Sequence, residues 1–164
     1  VKAFTIWQPW ASLVMIGAKP YEFRPKSYLR YIGHPMPGDR IAIQAGARKM
    51  VVREIADLLN KLDDPNLDTT GLVREIARPL LERIWRQPRD GFQMLPLGAI
   101  PGTAVIGEPV NAATIFGADD NLGSPHDSDR GDFNWAWPLT DIEPFLPPVP
   151  ARGAQGFWDW RGAP

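Results

Sequence analysis

Residues 17–24 read GAKPYEFR, and the way this stretch is read decides the fold. A lysine, a glutamate and an arginine fall within six positions directly after a glycine, with Tyr21 and Phe23 interleaved. Upstream, KAFTIW is short, β-prone and bounded by Gln8-Pro9, which predicts a first strand ending near Trp7. A helix should follow. Pro9 suits a first turn, Trp10, Leu13 and Val14 recur at helical spacing, and Gly17 is placed to supply the left-handed C-terminal stop. GAKPYEFR therefore begins where a helix has just ended. YEFR then alternates as a half-buried strand does, with Tyr21 and Phe23 on one face and Glu22 and Arg24 on the other. Strict alternation would point Lys19 away from Glu22 and Arg24. The three converge only if Lys19 lies in the turn before regular pleating starts, and Pro20 favours such a turn.

Further along, PMPGDRIAIQAG reads as a proline-glycine turn and a strand, with Ile41, Ile43 and Ala45 inward and Arg40 and Gln44 outward. Val51, Ile55, Leu58 or Leu59, and Leu62 form one helical stripe, stopped at DDP. Leu72, Ile76, Leu80, Ile84 and Trp85 suggest a second, interrupted or restarted at Pro79. The five arginines and three acids between Gly71 and Asp90 read as a solvated helix face. In LGAIPGTAVIGEPV, Pro101-Gly102 signals a turn ahead of the strand TAVI. Residues 117–132 are acidic and almost free of large apolar groups, the pattern of a surface loop. FNWAWPL resumes strand character with Phe133, Trp135 and Trp137 on one face, and EPFLPPVPARG must be extended. These elements predict an α+β chain: a small mixed β-barrel with an early helix, and a helical insertion at about 48–90 packed outside.

At 164 residues the chain is expected to form a single domain spanning 1–164. Its 18 prolines and 15 glycines predict many turns and disfavour a helical bundle. There are no cysteines, which removes disulfides, thiolate nucleophiles and cysteine-ligated metals. No run approaches the roughly 20 apolar residues of a membrane span, and no signal-peptide pattern opens the sequence, so a cytoplasmic protein is expected. Charge is unevenly spread. Between Lys19 and Arg53 eight basic residues face two acids, whereas residues 108–145 carry eight acids against Arg130. The first segment attracts anions and the second repels them.

On chemistry alone, GAKPYEFR leaves several readings open. A lysine partly dehydrated near an arginine can serve as base or nucleophile, with a glutamate to orient it. The same pair can hold a phosphate, with arginine as a planar fork and lysine as a point charge. A surface ion-pair cluster of little energetic weight is the bland alternative. His34 and His126 are the only histidines, one in a turn and one in the acidic loop, a poor basis for a two-histidine nuclease. His126, Asp127, Asp129 and Asp132 have spacings a hard cation can use, but lack an EF-hand's glycine and distal glutamate. No metal and no cofactor are expected.

GAKPYEFR resembles the G-x-K-x-x-E-x-R signature of the ASCH family, a branch of the PUA-like fold. IWQPWASLVMIG before it resembles the family's lead-in, IAIQAGARK its second barrel strand, and LPLGAIPGTAVIG its glycine-rich strand. FNWAWPLTDIEPFLPPVPARGAQGFWDW resembles its C-terminal end. The resemblance leaves out only the helical insertion and the acidic loop. It implies a cleft lined by Lys19, Glu22 and Arg24, with Trp7, Gln8 and Trp10 at its edge, that binds single-stranded RNA or a nucleoside-like ligand. Tyr21, Gln44, Arg48 and Lys49 complete the expected contact set, in the most basic part of the chain. Relatives are associated with hydrolysis of acetylated cytidine and with RNA cleavage. The first uses a lysine with a threonine three positions on, where this chain has Glu22. RNA cleavage needs a base, an acid and cations, which Lys19, Glu22 and Arg24 can supply. Many relatives carry a histidine where this chain has Gln44, whose amide can instead bond a base edge. Exposed tryptophans and PFLPPVP also allow a protein-interaction module.

Overall fold

The structure is a computed structural model that describes residues 1–64, 68–116 and 135–162. The acidic loop, with His126, Asp127, Asp129 and Asp132, and Phe133 lie outside the described residues. The chain runs β1 (Lys2–Ile6), α1 (Trp10–Met15), β2 (Tyr21–Arg24), a 3-10 turn (Tyr28–Arg30) and β3 (Arg40–Ala45). Three helices follow, α2 (Val52–Asp63), α3 (Arg74–Arg86) and α4 (Pro88–Gln93). Then come β4 (Ala99–Ile106), β5 (Val110–Asn111), α5 (Ala113–Phe116), β6 (Trp135–Pro150) and β7 (Phe157–Asp159).

The strands form one curled half-barrel in the order β2-β6-β4-β3-β1-β7, with β5 beside β6. β1 and β3 are parallel, and every other pair is antiparallel. At 16 residues, β6 is long enough to serve three neighbours: its first residues pair with β2 and β5 and the remainder with β4. The proline-rich segment is thus a sheet strand, extended as its composition requires.

The main core joins the concave face of the sheet to the helices. Phe4, Ile6, Ile41, Ile43 and Trp137 meet Trp10, Leu13 and Val14 of α1, and the same cluster takes in Ile55, Leu58, Leu62, Leu81 and Ile84. Tyr28 is buried there with its hydroxyl donating to the Gly107 carbonyl at 2.9 Å. Burial, reinforced by the charges of Glu108 and Asp39, pushes its phenol up to about 12. A second cluster, Ala3, Ala42, Ile100 and Trp160, covers the opposite face.

Three local expectations are corrected. The second helix runs through Pro79 without a break and buries Ala77, Leu81 and Ile84, leaving Ile76 and Trp85 exposed. Of the expected stripe, Leu72 and Ile84 are buried and Leu80 packs partly buried against the core, while Ala77 and Leu81 take the places expected of Ile76 and Trp85. Strand β4 runs through Pro101-Gly102 rather than turning there. Pairing with β6 shifts register between Ile100 and Gly102, and a Cβ on Gly102 would lie 2.4 Å from the Glu143 carbonyl. That glycine admits the close approach of two backbones at a bulge. Finally, Gln44 does not face solvent, since the segment after β6 folds back over its face; it is 1% exposed.

Among the described residues no helix is long and apolar enough to cross a membrane, and no cluster of metal-ligating side chains occurs.

Candidate functional site

The turn between α1 and β2 is built as the glycine suggested. Gly17 adopts φ +75°, its N–H bonds the Val14 carbonyl at 2.9 Å, and Ala18 N–H reaches back to Leu13 at 2.9 Å. This paired closure is the Schellman stop, and Lys19 N–H adds a further bond to Leu13 at 3.1 Å. The chain then reverses into β2, with Leu139 N–H of β6 bonding the Pro20 carbonyl at 2.8 Å. Lys19 therefore sits in the turn, ahead of the pleat. There it can reach a side chain that alternation would have denied it.

Glu22 is the hub. Its Oε1 accepts from Arg24 Nε at 2.7 Å and lies 2.6 Å from Arg24 Nη2, while its Oε2 lies 3.3 Å from Lys19 Nζ. Lys19 also donates to the Tyr21 carbonyl at 2.8 Å. Its ammonium lies 5.1 Å from the Trp10 ring and 5.4 Å from the Phe23 ring, within cation–π range of both. Side-chain exposure is 1% for Lys19 and for Glu22 but 32% for Arg24, whose guanidinium stacks on Phe4 at 4.8 Å. The cluster is thus a buried ion pair ending on a partly exposed arginine. The expectation that Glu22 lies on an outward face is corrected: both central residues of β2 are buried.

The helical insertion abuts this site. Val73 N–H, at the start of α3, bonds the Ala18 carbonyl at 2.8 Å. Gly71 lies flat against Phe23, where a Cβ would come within 2.7 Å of the ring.

The remaining candidates divide by position. Trp10 is buried in the core and meets the site beneath the Lys19 ammonium. Tyr21 is half-buried beside Phe23, their ring centroids 6.2 Å apart. Gln8 is buried and structural at one end: its Oε1 accepts from Ser12 N–H in the first turn of α1 at 3.1 Å, and its Nε2 donates to the Pro96 carbonyl at 2.9 Å. Trp7 is 48% exposed and carries the Arg48 guanidinium over its ring at 4.7 Å. Arg48 also pairs with Glu54 at 2.5 Å, and Lys49 next to it is exposed. Gln44 is not brought to the cluster. It alternates with the inward Ile43 and Ala45, and its Nε2 donates to the Ala45 and Ala151 carbonyls at 2.7 and 3.3 Å on the opposite face of the sheet.

Sequence reading did not single out Phe4 or Phe23 as site walls, although both were legible as apolar strand residues. What hid them was where the cations go: the turn carries Lys19 over Phe23, and Arg24, at the end of β2, lies over Phe4. No protein-family model matches the chain, and no curated protein matches it.

Proposed function

We propose that this chain is a PUA-like domain of the ASCH family, and that it binds single-stranded RNA or a nucleoside-like ligand at the Lys19, Glu22 and Arg24 cluster. The observation that carries the reading is the desolvated pair Lys19–Glu22, 3.3 Å apart at 1% exposure each, leading to Arg24. A buried ion pair adds little net stability, since apolar residues of the same volume do as well or better. Such a network at the rim of a basic segment is better accounted for by ligand binding. Arg24 offers a planar guanidinium to a phosphate, held in orientation by Glu22 and Phe4, while Lys19 fixes the carboxylate from behind. The position of the signature across a helix stop and the following strand supports the family assignment.

A hydrolase on the same residues would need Lys19 or Glu22 to touch substrate, and the burial of both favours binding. The test is incubation of the protein with a mixed single-stranded RNA and with acetylcytidine, following bound fraction and products together. RNA binding that falls steeply with salt, without product, is expected. Product formation abolished by Lys19→Ala would establish the hydrolase instead, and indifference to both ligands would leave a protein-interaction module.

A further inference from the structure

A cavity of about 220 Å³ opens between the end of β1, the segment after β3 and α4. Its walls are Met50, Phe92, Leu95 and Leu97, and its polar lining includes Gln8 and Lys49. An apolar cavity of about 150 Å³ admits benzene, whereas drug-sized ligands occupy roughly 300 Å³ or more. This one suits a single heterocycle. Gln8 lines it from a buried position, and only one of its two amide N–H groups is engaged among the described residues, with Pro96. The other is available to an acceptor. At the rim, the exposed Lys49 takes no ion pair among the described residues, and no carboxylate lines the cavity.

The neighbouring surface continues the pattern. Arg48 follows, its guanidinium on the half-exposed Trp7 ring. Gly46 lets that ring lie close, since a Cβ there would come within 3.0 Å of it. An apolar slot with a spare donor, the Lys49 ammonium and a guanidinium plane, that of Arg48 seated on Trp7 and paired with Glu54, thus occur side by side. That matches the base, phosphate, base succession of a single strand, whereas an isolated aromatic acid would use only the slot and Lys49.

We propose that the cavity seats one base of the bound RNA, its face against Phe92 and the aliphatic walls and an acceptor toward Gln8, with the adjoining phosphate on Lys49. This rests on the RNA-binding reading of the signature and adds a subsite built by the helical insertion. It accounts for the proximity of α4 to the strand ends.

Fluorescence anisotropy of a labelled single-stranded octanucleotide, titrated at several salt concentrations, tests it with Lys49→Glu and Leu97→Trp. Both positions are substantially exposed, so the fold should tolerate the changes. Each variant should lose affinity about tenfold or more, and Lys49→Glu should flatten the salt dependence by at least about one phosphate contact. Wild-type affinity in both variants, with Arg24→Ala weakened, would overturn the subsite and leave the signature reading standing. Absence of RNA binding by the wild-type chain would overturn the two together.

Discussion

The signature cluster and the surface of the helical insertion use the same chemistry in mirror image. In the first, one carboxylate, Glu22, is shared by two cations; in the second, one guanidinium, Arg78, is shared by Asp63 and Glu82, the latter at 2.7 Å. Their surroundings separate them. Lys19 and Glu22 are shut away from water, whereas Arg78 and both of its partners are at least one-third exposed. On the helices, water and salt screen the charges, and the ion pairs are surface decoration that holds Arg78 above the ordinary range of its class through hydrogen bonds to Asp63 and Glu82. At the signature, Lys19 and Glu22 have lost their hydration and depend on each other, with Arg24 reaching outward from them. Close spacing of opposite charges in a sequence therefore says nothing about their energetic weight; the layer that covers them does.

The largest expected effect breaks the buried hub. Glu22→Ala strips Lys19 and Arg24 of their shared carboxylate and should destabilise the fold by about 3–5 kcal/mol in equilibrium denaturation. A loss no greater than that of an exposed pair would erase the distinction between the regions.

Next comes burial without a resting charge. Tyr28 is neutral when folded, and its phenol is pushed up to about 12 from an ordinary value of 10.0. Because the folded state resists ionisation, its contribution is fully present below pH 10 and is lost as pH rises toward 12, roughly 2–3 kcal/mol in all. Ultraviolet titration should show a late phase of tyrosine ionisation, and Tyr28→Phe should remove that phase. A titration without a late phase, or with one that Tyr28→Phe leaves in place, would mean that burial in this core does not govern ionisation.

The smallest effect is expected on the helices. Arg78→Ala should leave the denaturation midpoint close to that of the wild type, and added salt should change it little further. A marked loss there would show that the exposed network bears stability after all.

How far the sequence foretold these differences varied with the kind of signal. The helix stop at Gly17, the turn that carries Lys19 and the extended proline segment were all legible, because each follows from a local backbone constraint. Pro79 and the Pro101-Gly102 pair misled for the complementary reason: their local preference yields to tertiary packing, in one case a helix held by Ala77, Leu81 and Ile84, in the other a bulge against β6. The burial of Glu22 and Gln44 was not legible. Period-two alternation assigns a residue to a face, but the cover on that face comes from chain far away in sequence, such as the segment holding Ala151 over Gln44.

The most direct test of the account is the salt dependence of single-stranded RNA binding by the wild-type chain and by Arg24→Ala, the exposed end of the buried cluster. The account predicts binding that weakens with salt, and a variant that folds normally yet binds about three- to tenfold more weakly with a salt slope lower by about one. Equal affinity and equal slope in the two proteins would contradict it.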